Sequence, residues 1–256
     1  RYDPGLVSRW LFSQNLLAHR EVLRDARIFC CICGEVAPLA SVDPTVPIDP
    51  REGLLCAQCG MSARQRAGVA LLRMHARESD SIYVTEQSTR LFAWLQSRHP
   101  GVRGSEFEPD PARRAEMAAY LASMGGHGEI AFEDVTRLSM ANASQDVVLS
   151  FDVLEHVPDY RAALREFARV LRAGGTLLAT FPFTDGDNTL VRASLLDDGT
   201  LKYHLEPEYH GDPIGGPVLC FYHFGWDLLD ELRAAGFSQA TMVMPWAPEQ
   251  GILYGH

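Results

Sequence analysis

Four cysteines fall in two pairs of identical spacing, Cys30-x2-Cys33 and Cys56-x2-Cys59, with 22 residues between the pairs. Thiolates three positions apart can grip one metal ion from a tight backbone knuckle, and two such pairs complete a tetrahedron. Gly34 and Gly60 directly follow the second cysteine of each pair, where the knuckle needs an unhindered backbone. Four thiolates leave no open position for a substrate, so the chemistry expected of Cys30, Cys33, Cys56 and Cys59 is structural zinc binding. Two disulfides or reduced core cysteines are the alternative, and Cys31 is a spare that could stand in for Cys30. A second polar set, Ser150, Asp152, Glu155 and His156, follows a short apolar run. A third is spread over residues 184–223 and includes His204, Glu206, Glu208, Tyr209, His210, Asp212 and His223. Long polar segments of irregular pattern commonly form lids or substrate loops. A metal site from His204, His210, His223 and carboxylates competes with that reading, as does a purely structural loop.

These residues must be positioned by a scaffold. Residues 146–150 are apolar and too few for a helix, so they read as a strand ending at Ser150. The spacing of Tyr160, Leu164, Phe167 and Leu171 then marks one face of a helix, with Asp159 as its cap, Pro158 blocking an earlier start, and Gly174-Gly175 letting the chain leave it. A second apolar run, residues 176–181, ends at Pro182. Strand, helix, strand is the unit of a doubly wound parallel α/β sheet, whose ligands sit beyond the carboxyl ends of the strands. That edge carries the set from Ser150 to His156. Further strands are expected at 81–86, 102–107, 129–132, 239–244 and from 251 onward. Helices are expected within 5–26, at 62–77, around Leu91, Trp94 and Leu95, at 111–124 and at 226–235, while Pro38, Pro44, Pro47 and Pro50 suggest a stiff loop. The expected division is a helical and zinc-binding module over 1–78 and a main α/β domain over 79–256.

With 46% hydrophobic side chains in 256 residues, the chain can bury a full α/β core plus a small appendage. No apolar stretch approaches the roughly 20 residues of a membrane span, and the opening RYDPGLVSRW lacks a signal-peptide pattern, so no membrane association and a cytoplasmic location are expected. Because the chain starts at Arg1 and stops inside an apparent strand, it reads as trimmed. A formal charge of −10 opposes binding to a polyanion, which makes a nucleic-acid partner unlikely.

The central stretch resembles class I S-adenosylmethionine-dependent methyltransferases. Asp146, Val153-Leu154-Glu155-His156-Val157, Leu164, Arg169-Val170-Leu171 and Gly174-Gly175 match their pattern around the fourth strand, the following helix and the fifth strand. The resemblance covers roughly 80–256 and implies a Rossmann-like sheet of seven strands with S-adenosylmethionine as cofactor. It implies that Glu106 accepts from the ribose hydroxyls and Asp134 from the adenine amino group. Val135 would pack on the ring, Ser150 and Asp152 would lie beneath the transferring methyl with Asp152 among the catalytic residues, and Phe151 would join Ser150 in binding the cofactor. The family's glycine-rich loop is replaced by Glu86-Gln87-Ser88-Thr89, so Glu86, Ser88 and Thr89 are expected to meet the methionine part through a carboxylate, hydroxyls and helix N-terminal amides. His156 is read as structural more readily than as a base. The segment 184–223 would cover the acceptor, a small molecule or glycan, with Tyr209 and His210 near the reacting oxygen and His210 as its base. The zinc-ribbon-like module lies outside the common fold. Rival readings are N-methylation, modification of an rRNA base, and a non-catalytic scaffold that has lost the cofactor.

Overall fold

A computed structural model describes residues 4–40, 48–212 and 216–254. It separates into two compact units, Arg1–His75 with Val243–His256, and Ala76–Met242. Most of the expected proline loop, residues 41–47, lies outside the described residues, as do Pro213 and the last two residues.

The first unit contains α1 (Pro4–Ala18), α2 (Arg20–Arg24), the antiparallel pair β1 (Arg27–Cys30) and β2 (Glu35–Pro38), and α3 (Ala63–His75). Two buried polar side chains join the early elements to the end of the chain. Ser13 of α1 donates to Arg9 O and accepts from Tyr254 N at 3.1 Å and from the Trp246 indole. Arg66 of α3 is 0% exposed and donates to the carbonyls of Met61, Gln250 and Gly251, so its guanidinium is held entirely by backbone oxygens. Residues 251–254 therefore pack with the early elements and carry no strand of the main sheet, contrary to the sequence expectation.

The second unit is built on four parallel strands in the order β4-β3-β5-β6: β3 (Ile82–Val84), β4 (Arg103–Gly104), β5 (Gln145–Phe151) and β6 (Leu171–Thr180). Between them run α4 (Arg90–Gln96), α5 (Pro111–Ser123) and α6 (Tyr160–Val170). Asp159 caps α6 by accepting from Ala162 N at 2.9 Å, and Tyr160, Ala163, Leu164, Phe167 and Val170 form its buried face. Gly174 has φ +82, and a Cβ on Gly175 would stand 2.9 Å from Asp146 O. The glycine pair thus belongs to a bulge that lets β6 close on β5 after the register shifts.

Seven strands were expected, and four are assigned to this sheet. The segment 129–132 makes one parallel bridge, Glu106 to Phe132, and 239–244 carries no strand. Gln87 does part of the missing strand's work: its buried amide donates to Glu129 O and accepts from Ala131 N, both at 2.9 Å. The polar segment after β6 is more regular than its sequence suggests. It forms three two-stranded antiparallel ribbons, from β7 (Leu190–Val191), β8 (Ala193–Leu195), β9 (Leu201–Tyr203), β10 (Tyr209–Asp212), β11 (Gly216–Leu219) and β12 (Tyr222–His223), paired as β7 with β12, β8 with β9 and β10 with β11. Strands of two to four residues are too short to display a two-residue period. Helix α7 (Leu228–Ala235) follows and ends on Gly236 at φ +117.

Candidate active site

The strand order reverses between β3 and β5, which opens a crevice beyond their carboxyl ends. Glu86, just past β3, spans it: its carboxylate accepts from the Thr85 hydroxyl at 2.7 Å and from Phe151 N at the end of β5. Glu106, past β4, accepts from Ser88 N, which ties the loop after β3 to the neighbouring strand tip. That loop lacks glycine, and the close approach depends on Gly104 of β4 instead. A Cβ at Gly104 would stand 2.6 Å from the Phe92 ring and 2.9 Å from Gln87. Ser150 on β5 is fully buried, and its hydroxyl has no hydrogen-bond partner among the described residues. Asp152, immediately after β5, holds φ +57, an uncommon conformation for a residue with a Cβ, and accepts from the Thr180 hydroxyl at 2.9 Å.

Other expected cofactor residues are arranged differently. The Ser88 hydroxyl donates to Met117 O, and the Thr89 hydroxyl caps α4 by accepting from Phe92 N, so both make hydrogen bonds within the protein. One carboxylate oxygen of Asp134 is engaged by the amide and hydroxyl of Thr136, and Val135 packs against the core cluster under α6.

The ribbons bring a second group to the same edge of the sheet. Phe221 N donates to Glu155 O at 2.7 Å and the His156 ring contacts Leu219 O at 2.8 Å, which anchors the β10–β11 ribbon on the turn Leu154–His156. His210 then lies edge-on to His156 with ring centroids 4.9 Å apart. Its Nδ1 is 3.7 Å from Glu155 Oε1, and its Nε2 is 3.1 Å from Glu208 Oε1. Glu208 also contacts His223 Nε2 at 2.9 Å and Arg192 at 3.2 Å. Burial raises the Glu208 carboxyl, but the hydrogen bonds from His223 and His210 and the charge of Arg192 outweigh it, leaving the group below its ordinary value. Burial lowers His156 and favours its neutral form. His204 is apart from this group and bonds Ser194 instead. Tyr209 is 51% exposed on the opposite face of β10 from His210, so the structure does not bring the two together. Sequence reading left Glu155 without a role. Its place between a strand tip and His156 was visible, whereas its complete burial was not.

A cavity of about 460 Å³ lies at the opposite edge, lined by Ser81, Gly101, Gln145 and Arg172 among others. Those residues sit at the amino ends of the strands, away from every polar tip, so the crevice above is the better candidate despite the cavity's size.

In the first unit the four cysteines converge. Cys30 and Cys59 sulfurs are 3.6 Å apart, those of Cys33 and Cys56 are 3.9 Å apart, and all four lie within 4.8 Å of one another. Thiolates about 2.3 Å from a central ion would be separated by roughly 3.8 Å. Gly34 and Gly60 have φ +76 and +68, and each donates to the first cysteine's carbonyl at 2.8 Å. Cys31 is not part of the set, because its sulfur faces Arg66 O.

Residues 88–179 match the family model described as "Methyltransferase domain". A Mycobacterium tuberculosis protein named "Probable S-adenosylmethionine-dependent methyltransferase Rv3030" is 36% identical over 148 residues, 51% of this chain and 52% of that protein. The 27-O-demethylrifamycin SV methyltransferase of Amycolatopsis mediterranei is 36% identical over 30% of this chain and 28% of its own length. Dimethylglycine N-methyltransferase of Parasynechococcus marenigrum is 32% identical over 43% and 39%. The chain spans about half the length, or less, of the curated relatives it matches. The parallel α/β sheet with acids at its central tips agrees with the methyltransferase-domain match over residues 88–179.

Proposed function

We propose that the chain is an S-adenosylmethionine-dependent methyltransferase acting on an oxygen of a small-molecule or glycan-like acceptor, with a structural zinc ion in its Cys30, Cys33, Cys56 and Cys59 cluster. One observation carries the reading: at the switch point, Glu86 and Glu106 flank a crevice beside Ser150, a fully buried hydroxyl without a partner. Buried polar groups are normally satisfied, so such an orphan marks a place for a ligand atom. Bound there, the cofactor supplies an electrophilic sulfonium methyl.

The chain's own residues bind, orient and take up a proton. Glu106, fixed by Ser88 N, accepts from the ribose hydroxyls, while Glu86 and Phe151 set the floor beneath the reacting end. His210, oriented by Glu208, removes the acceptor's proton as its oxygen forms the new bond to carbon and the sulfur–carbon bond breaks. One relative named for N-methylation and one named for a 27-O-demethyl substrate both occur, and the oriented imidazole favours oxygen, since an alcohol needs a base more than a neutral amine does.

Calorimetry with S-adenosylhomocysteine tests this. Wild type is expected to bind, and Glu106→Ala to bind about 10- to 100-fold more weakly, the usual cost of losing a charged hydrogen bond. A wild-type protein with no affinity at millimolar ligand would leave a scaffold in place of an enzyme.

A further inference from the structure

Three acceptor atoms converge where the ribbon meets the strand-end turn. A carbonyl can only accept, so His156 Nδ1, at 2.8 Å from Leu219 O, must carry that ring's hydrogen when the ring is neutral. Its Nε2 lone pair then faces Glu155 Oε1 across 3.8 Å. The same logic applies to His210: Nε2 donates to the Glu208 carboxylate, which leaves the Nδ1 lone pair facing Glu155 Oε1 across 3.7 Å. Both separations exceed a hydrogen bond. They are within about 0.4 Å of the roughly 3.4 Å edge expected between nitrogen and oxygen ligands sharing one small cation. All three ligand atoms lie within 4.8 Å of one another, and the carboxylate is 0% exposed.

The outer contacts of both rings are those that orient metal-bound imidazoles, a carbonyl on one and a carboxylate on the other. Nearby, Glu208, Cys220 and His223 form a second cluster with a different balance. There Glu208 receives hydrogen bonds from two imidazoles, and the Cys220 thiol donates to Tyr222 O, with burial pushing its pKa up to about 12. That cluster is satisfied by its own hydrogens.

We propose that Glu155, His156 and His210 form a binding site for one divalent transition-metal cation, with a coordination position left open towards the acceptor. Two imidazoles and one carboxylate suit zinc or another first-row ion better than magnesium or calcium. The proposal deepens the functional reading and rests on it only for the open position's use. With the cation seated, His210 is a ligand, and the acceptor hydroxyl is acidified on the ion instead of by the free imidazole.

The test uses the full chain with its cysteine cluster saturated with Zn2+, titrated with Co2+ and followed by absorption. The expected result is one further ion per chain, with the weak visible bands of nitrogen- and oxygen-bound cobalt and no thiolate charge-transfer band. His210→Ala and Glu155→Gln should each weaken that binding at least about tenfold. His204→Ala, whose ring faces Ser194, should leave it unchanged. His210 is 32% exposed on a surface ribbon, so its variant keeps the test open if Glu155→Gln fails to fold. Absence of the extra ion in wild type, unchanged affinity in His210→Ala, or a charge-transfer band from Cys220 would each overturn the site. In those cases S-adenosylhomocysteine binding and the role of His210 as base would still stand.

Discussion

At the scale of single residues, the candidate site is distinguished by one buried hydroxyl, that of Ser150, with no hydrogen-bond partner among the described residues. Ser88 and Thr89 are the contrast: both were expected at the cofactor, and both have their hydroxyls engaged internally. In the proposed reaction His210 is the residue on which the chemistry turns, since one nitrogen is fixed by Glu208 and the other faces Glu155. His210→Ala should therefore lower kcat by about 10²- to 10⁴-fold, the range for a lost proton-transfer group. S-adenosylhomocysteine affinity should be unchanged, because the groups His210 packs against are Glu208, Glu155 and His156, on the acceptor side of the proposed reaction. Single-turnover rates measured beside calorimetry would separate the two effects. A variant that lost cofactor affinity with kcat intact would assign His210 to binding. Tyr209→Phe, on the other face of β10, is the comparison expected to behave as wild type.

At the scale of elements, legibility follows the range of the interactions. Helix α6 was readable because its Asp159 cap, its apolar face and the glycines beyond it are all local. The ribbons between 190 and 223 were not, because their pairing is set by contacts between segments rather than by any period within them. The strand expected at 129–132 is reduced to a single bridge for a similar reason: Gln87, some 40 residues away in sequence, replaces part of its ladder. The acids at the strand tips were singled out by the family resemblance, but the junction of His210 with Glu155 depends on how the β10–β11 ribbon docks. One element-scale device is testable through pH. On α6, Glu166 accepts from Leu138 N at 2.8 Å and pairs with Arg169, which in turn donates to Leu138 O and Met140 O. The pair clamps the loop before β5, and the hydrogen bond from Arg169 holds the Glu166 carboxyl below its ordinary value of 4.5. A depressed folded-state pKa contributes stability that is present above the unfolded value and lost as pH falls through the folded one. Glu166→Gln is thus expected to cost about 1 kcal/mol at pH 7, with the difference from wild type shrinking as pH falls below the ordinary carboxyl value and vanishing once the folded carboxyl is protonated. Urea unfolding across that range reads it, and a pH-independent difference would show that packing rather than charge is responsible.

At the scale of the whole molecule, the two units rely on different sources of stability. The larger has a continuous apolar core of α6, the sheet and the aromatic cluster of Tyr160, Tyr222 and Phe224. The smaller unit has short strands of four residues and a cysteine cluster at its centre. Four thiols gathered this closely cannot all ionise unaided. The hydrogen bond from Cys59 pulls Cys30 down to about 4, burial pushes Cys33 up to about 11, and Cys59 is raised further by its bond to Cys30. The proposed zinc ion would remove that conflict by making every sulfur a ligand, and its binding energy would become folding energy of the unit around it. Stripping the metal with a thiol-directed mercurial should release one zinc per chain. The environment of Trp246, which packs edge-on against Phe12 and under Arg9, should change with it, seen as altered fluorescence. Cys56→Ser should reproduce the effect without the reagent. Affinity for S-adenosylhomocysteine should stay within about threefold, because Glu86, Glu106 and Ser150 all belong to the other unit and a factor of three is well under 1 kcal/mol. Zinc release with no change in Trp246 emission would mean that the cysteine cluster is not what organises its unit.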